Sequence, residues 1–331
     1  MPEFAEVCFV DDFYRKEVGI MPRKRILLIG SSNMDFSMNI YKMPERGETV
    51  IDDGGVAYTP GGKGANSAIA ITRLGGECVF CTKLGADPHG QRLYNYYKEQ
   101  GINTSYIKVD HDHSTGLAVV IREADGSNRI VVYPGANSHI TTEGIMEAFD
   151  SQPDAVYLGF EIPFATALVA AKIAAARNIP IFVDAAPASK EYELENLPPV
   201  EIFSPNEVET FEYTGINPTG MESSLRAALA IYRRVKCKYV VIKQGARGAF
   251  LYDGKKYNTF PTYRVDKPVD TTAAGDAFTA AMTLEYLRTG DIKSAIAYGN
   301  AAGALTVQKA GASSSIPTAA EIEAFLSSRT R

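Results

Sequence analysis

Along the chain, short apolar runs recur between longer stretches whose apolar positions repeat every three to four residues, and the two kinds of segment alternate. The runs Ile26-Leu27-Leu28-Ile29, Glu77 to Lys83, Ala155 to Gly159, Pro180 to Asp184 and Tyr239 to Lys243 read as buried strands, the first starting near Arg25. Ala65 to Leu74, Gly90 to Gln100, Phe164 to Arg177, Asn206 to Tyr213, Leu225 to Lys236, Gly275 to Arg288 and Ile292 to Lys309 read as helices. Strands separated by segments long enough for crossover helices predict a mostly parallel central sheet between two helix layers, a three-layer α/β/α arrangement. Two stretches break the alternation. Glu48 to Tyr58 and Thr115 to Tyr133 carry Thr, Val, Ile, Tyr and turn residues without a helical pattern, and they predict a small separate β-sheet.

Composition narrows the function. In 331 residues, 45% hydrophobic and 22% charged content excludes wholesale disorder and supplies a large core. With 34 Lys+Arg against 39 Asp+Glu, a net charge of −5 and no dense basic run, the chain has no footprint for nucleic acid or an anionic membrane. Small molecules are the expected partners. Four cysteines (Cys8, Cys78, Cys81, Cys237) are too few for a disulfide scaffold, so a reducing, cytoplasmic setting is expected. Cys78 and Cys81 stand three apart on one apolar strand and face opposite ways, which argues against a redox pair. Apolar runs such as Ala165 to Ala176 fall short of the roughly 18 residues of a membrane span. Residues 1–24 read as an N-terminal extension, with Met21 as an alternative start; five acids among its first twenty residues weaken a targeting reading.

Three motifs stand out. Val269-Asp270-Thr271-Thr272-Ala273-Ala274-Gly275-Asp276 is a loop of small residues that opens directly into a helix, where unpartnered amides and the helix dipole attract phosphate. An aspartate there could be a cap, but Asp270 and Asp276 flanking one glycine are more than capping requires. Pro60-Gly61-Gly62-Lys63-Gly64-Ala65-Asn66 is a second glycine-rich turn into a helix. It fits neither the P-loop nor the dinucleotide fingerprint. Lys63 and Asn66, with Asn33 and Asp35 after the first strand, would cluster polar groups at the carboxyl ends of the strands, as polyol recognition needs. Asn206 and Glu209 form a capping-box pattern and equally a pair able to hold water around Mg²⁺. Asp110-His111-Asp112-His113 reads as a solvated turn rather than a metal site.

Together these segments resemble the ribokinase family of carbohydrate kinases, the PfkB type, over about Arg25 to Phe325. Gly61 to Asn66 is similar to the ribokinase form of the family's first signature, Lys63 included. Asp270 to Asp276 is similar to the second, and Gly85, Asp87 and Gly90 fit a third pattern, G-x-D-x-x-G. The resemblance implies a kinase domain over 25–328 whose lid segments, near 45–60 and 114–134, cover the sugar and build a homodimer. It implies phosphorylation of D-ribose at the 5-hydroxyl by ATP, with Mg²⁺ required and K⁺ as a monovalent activator. A sister kinase for a nucleoside, fructose or keto-sugar acid, or a non-catalytic sugar-binding protein, are the alternatives.

By the same resemblance Asn33, Met34, Asp35, Gly62, Lys63, Gly64, Ala65, Asn66 and Glu161 would contact ribose. Asp276 would be the base, with Ala273, Ala274 and Gly275 forming the anion pocket. Asn206, Gln244, Gly245, Ala246, Arg247, Gly248 and Asn300 would meet the nucleotide, together with Lys243, which departs from the small polar residue expected there. Glu209 would hold Mg²⁺ through water, and Asp270, Thr272, Thr306, Lys309, Gly311 and Ser315 would surround K⁺.

Overall fold

The computed structural model describes residues 23–51, 54–123 and 128–329. Apart from Arg23 and Lys24, the proposed extension lies outside the described residues, and Cys8 with it. Thirteen strands are assigned: β1 (Arg25–Ile29), β2 (Asn33–Ile40), β3 (Val56–Gly61), β4 (Glu77–Gly85), β5 (Ile107–Asp110), β6 (Gly116–Glu123), β7 (Asn128–Tyr133), β8 (Ala155–Gly159), β9 (Ile181–Asp184), β10 (Val200–Ser204), β11 (Cys237–Lys243), β12 (Ala249–Tyr252) and β13 (Tyr257–Phe260). The helices are α1 (Lys63–Arg73), α2 (Pro88–Glu99), α3 (Thr142–Ala148), α4 (Phe164–Ala176), α5 (Glu207–Thr214), α6 (Met221–Arg234), α7 (Ala274–Thr289), α8 (Ile292–Thr306) and α9 (Ala319–Ser327).

Nine of these strands form one sheet in the order β13-β12-β11-β10-β9-β8-β1-β4-β5. All pairings are parallel except β11 with β12 and β12 with β13. Alternation of side chains splits the core in two. Ile26, Leu28, Cys78 and Phe80 point into the layer of α1, α2, α7, α8 and α9, whereas Leu27, Ile29, Val79 and Cys81 point into the layer of α3, α4, α5 and α6. The two cysteines therefore face opposite layers, and burial pushes the Cys81 thiol up to about 12. This is the expected three-layer α/β/α fold.

The second sheet has the order β3-β2-β6-β7. Expected strand character over Glu48 to Tyr58 is realised only from Val56 onward, as the antiparallel partner of β2. Strand β2 itself was not among the expected elements, although Asn33-Met34-Asp35-Phe36-Ser37-Met38-Asn39-Ile40 alternates strictly between polar and apolar. This strand carries three candidate sugar contacts, Asn33, Met34 and Asp35, and pairs in parallel with β6, Asn33 opposite Gly116. Parallel order in the main sheet brings the carboxyl ends of β1, β8, β9 and β11 to one edge. Helices α1 and α7 begin there too, beneath the small sheet.

Candidate active site

Helix α7 opens on Ala273 in the left-handed conformation, φ 62°, and no side chain caps it. Among the described residues none accepts from the amides of Gly275 and Asp276, while Ala274 N reaches Thr271 O at 3.3 Å. Asp276 lies in this first turn, 4% exposed. Asn66 Nδ2 donates to its Oδ2 at 2.8 Å, and the Lys63 ammonium stands 3.8 Å from Oδ1. Asn66 Oδ1, also buried, has no partner among the described residues. Burial pushes the Asp276 carboxyl above its ordinary value, Lys63 opposes this most strongly, and Asp184 adds to it. Lys63 is in turn held well above the ordinary lysine value, first by Asp276.

Glu161, two residues beyond β8, gathers the residues beside the first strand and the glycine turn. Its Oε2 accepts from Lys63 N at 2.9 Å, from Asn33 Nδ2 at 3.5 Å, and from the Ser31 hydroxyl. Asn33 Oδ1 accepts from Asn137 Nδ2 at 2.8 Å, and Asn137 also bonds the backbone N and O of Ser32. Asp35 packs against the backbone of β3, where a Cβ on Gly61 would come within 2.1 Å of its carboxylate. Only glycine fits. Gly62, at φ 91°, then turns the chain into α1 and lets Lys63, Gly64, Ala65 and Asn66 follow beside the first strand. Burial raises the Asp35 carboxyl to about 7, with Glu161 the next contributor. Met34, between these two polar residues, faces the core.

On the other side of Asp276, Asn206 and Glu209 close a complete capping box: Glu209 Oε2 accepts from Asn206 N at 2.7 Å, and Asn206 Oδ1 from Glu209 N at 2.9 Å. Glu209 is nevertheless buried, and its carboxyl is raised by burial against the pull of Lys243. Lys243 ends β11 and pairs with Asp184 at the end of β9. The loop from Gln244 to Gly248 is a single tight turn, with Gly245 and Gly248 at positive φ. Its side chains are engaged by the protein. Gln244 Nε2 donates to Pro218 O and Ser224 Oγ at 2.9 and 2.8 Å, Arg247 bonds Glu207 and Pro218 O, and Asn300 Nδ2 reaches Phe260 O at 3.2 Å. Gly245, Ala246 and Arg247 are exposed, and Gly245 and Ala246 offer little beyond backbone there.

The Asp270 carboxylate gathers the preceding loop: Oδ1 accepts from Thr272 N and Oγ1 at 2.9 and 2.6 Å, and Oδ2 from Gly311 N at 3.1 Å. Side chains of the remaining monovalent-ion candidates point elsewhere. Thr306 Oγ1 donates to Ala302 O, Lys309 Nζ to Glu321, and Ser315 Oγ to Ala312 O. The G-x-D-x-x-G pattern ties the start of α2 to the small sheet. Asp87 caps α2 through Gly90 N and takes both Thr115 N and Thr115 Oγ1 just before β6. Asp110 and His113 form a turn as expected, but Asp110 is buried and held far below the ordinary carboxylate range, chiefly by Lys83.

Asp184, Asn137 and Ser31 belong to this cluster and carry no local motif. Each is a single polar residue at a strand end or in a short turn, joined to the others only by the topology.

Residues 23–319 match the profile of the pfkB family carbohydrate kinases. The chain belongs to this family. It is 33% identical over 307 residues to the ribokinase of Haemophilus influenzae, covering 92% of this chain and 99% of that one. To the ribokinase of Bacillus subtilis it is 35% identical over 309 residues, covering 92% and 100%. The solved ribokinase of Arabidopsis thaliana in complex with ribose and ATP superposes with a TM-score of 0.81, at 27% identity, over 92% of this chain and 99% of that one.

Proposed function

We propose that this chain is an ATP-dependent ribokinase that phosphorylates the 5-hydroxyl of D-ribose. The observation that carries the chemistry is the uncapped first turn of α7 with a buried carboxylate in it, bonded by an asparagine whose own carbonyl oxygen has no partner. A buried acceptor left open costs roughly 1 to 3 kcal/mol, which a sugar hydroxyl would recover. Asp276 takes the proton of the attacking hydroxyl, and the amides of Ala274, Gly275 and Asp276 receive the charge of the γ-phosphoryl group. Asn33, Asp35, Asn66 and Glu161 orient the sugar, and Lys63 bridges the sugar and phosphate sides. The 244–248 backbone and Asn300 border the nucleotide.

The donor set fits a divalent cation. Lys63 and Lys243 face Asp276, Asp184 and Glu209, so acids outnumber bases where phosphate must bind. Glu209 would hold Mg²⁺ through water, because its oxygens already serve Asn206. When bound, Mg²⁺ neutralises phosphate oxygens during transfer. For K⁺, Asp270 and backbone carbonyls around Thr272, Thr306, Lys309, Gly311 and Ser315 supply an oxygen-only set. The small sheet would act as a lid. It leaves Val56, Tyr58, Ile130, Val131, Val132 and Tyr133 exposed, the consecutive residues of β7 on alternate faces, which supports pairing with a second copy.

A panel of pentoses, hexoses, keto-sugar acids and nucleosides in a coupled ADP-release assay tests the reading. Ribose should give the highest kcat/KM. A better substrate elsewhere in the panel would move the chain to a sister kinase, and sugar binding without any ADP release would make it a binding protein.

A further inference from the structure

Asp184 and Lys243 form an ion pair of 2.6 Å whose side chains are only 4% and 10% exposed. Its contribution to stability is poor grounds for its presence, since a desolvated pair is often no better than apolar residues of the same size. Its connections are more informative. Lys243 Nζ also donates to Thr279 Oγ1 at 3.1 Å, and Thr279 Oγ1 donates to Gly275 O at 3.0 Å, inside the first turn of α7. A Cβ built on Gly275 would meet Lys243 Nζ at 3.8 Å. On the far side, Asp184 Oδ2 accepts from Tyr157 OH at 3.3 Å, and Tyr157 OH accepts from Ser67 Oγ at 3.1 Å, the residue after Asn66. One polar chain thus joins the starts of α1 and α7, the two helices that present Asn66 and Asp276 to each other.

We propose that Asp184 and Lys243 are a positioning pair for phosphoryl transfer, which clamps the first turn of α7 through Thr279 and balances the charge around Asp276. The inference rests on the reading of Asp276 as the base. The charged and titratable groups that act on Asp276, or are acted on by it, are Lys63 from α1, Asp35 from β2, Tyr157 from β8, Asp184 from β9 and Lys243 from β11. Lys243 and Asp184 act on Asp276 in opposite directions. Together they partly cancel while supplying hydrogen bonds to the first turn of α7, and either one alone would act on Asp276 unopposed.

The test is a carbon-13 NMR titration of the Asp276 carboxyl in the ligand-free protein, assigned with Asp276→Asn, alongside kcat and KM. Lys243→Met should move the Asp276 midpoint up by about one unit, because Asp184 is left unopposed. Asp184→Asn should move it down, and the double variant should fall between the two single variants. In Lys243→Met kcat should fall while ribose KM holds. Should Lys243→Met fail to fold, Asp184→Asn and the double variant still decide the matter. Midpoints that coincide in wild type and in either folded single variant overturn the pair's role. Wild-type turnover by Asp276→Asn instead overturns the base assignment, whatever the titration gives.

Discussion

Helices α5 and α7 begin at the same edge of the sheet and treat their first-turn amides in opposite ways. At α5 the chain closes its own helix: Asn206 and Glu209 exchange side-chain and backbone bonds at 2.7 and 2.9 Å. At α7 no side chain caps the start, and Ala273 is held left-handed, a conformation that costs a non-glycine residue roughly 1 to 2 kcal/mol. A closed start is first of all structure, and chemistry is added only through its leftover charge. An open start that also carries backbone strain leaves its donors for something outside the chain. The same contrast separates Asn206, which is satisfied, from Asn66, whose Oδ1 has no described partner.

The comparison is broken most severely at α7. Asp276→Asn keeps shape and hydrogen bonding but removes the proposed base, so kcat should fall by roughly 10² to 10⁴ with ribose affinity little changed. Turnover close to wild type would mean that the open helix start binds without catalysing.

Next in size is the sugar side. On the proposed sugar assignment, Asn66→Ala and Asp35→Ala would each strip hydrogen-bond partners from sugar hydroxyls, at about 1 to 3 kcal/mol per unpaired group, so ribose KM should rise by about 5- to 150-fold. An unchanged KM in both would move the sugar site elsewhere. Asp35 adds a pH signature, because burial and then Glu161 push its carboxyl up to about 7. As an acceptor it must be deprotonated, so ribose KM should fall as pH rises through neutrality, and Asp35→Asn should flatten that profile. Stability runs the other way. A carboxyl raised on folding contributes stability below its unfolded value and loses it as pH climbs through the folded one. Thermal melts across that range should show this part of the stability declining.

At α5 the effect is smaller and different in kind. Asn206→Ala opens the capping box and should cost about 1 kcal/mol of unfolding free energy, read from a denaturant midpoint. If stability is untouched while nucleotide KM rises, the cap is functional first and the contrast with α7 dissolves.

How far this contrast could be read from the sequence depends on whether partners are neighbours in the chain. The capping box, the glycine turn at Gly61-Gly62 and the small-residue run before Asp276 are local patterns, so their positions were evident. Asp184 and Asn137 acquire meaning only through the topology, and so does the role of Lys243 as a partner: Asp184 meets it because β9 and β11 flank β10. Strand β2 was hidden for another reason. Its alternation is plain, but Asn33 and Asp35 drew attention as ligands, and both sides of the strand are partly covered, with Asn33 and Met34 equally buried. The parallel order and the two helix layers were legible from the long periodic segments, which carry the strongest pattern, whereas the short elements β5, β10, β12, β13, α3 and α9 were not among those expected.

The smallest expected effect concerns the loop that leads into α7. Asp270 lies six residues before Asp276 and holds this loop by accepting from Thr272 and Gly311, with its carboxyl below the ordinary value: burial, the largest influence, pushes it up, and its bonds to Thr272 and Gly311 outweigh that. In the proposed reading this carboxylate is part of a site for a monovalent cation that does not touch substrate. Such an ion would act by stiffening residues 271–275, so that the Gly275 and Asp276 amides already point at the phosphate, since preorganised dipoles stabilise charge without reorganising. Activity should therefore rise when K⁺ replaces a bulky organic cation at constant ionic strength, through kcat more than ribose KM, and Asp270→Ala should blunt the response. Ionic strength must be fixed because general screening would imitate a specific site. Equal wild-type rates in the two salts would mean that Thr272 and Gly311 hold the loop unaided, and α7 would then owe its open start to the protein alone.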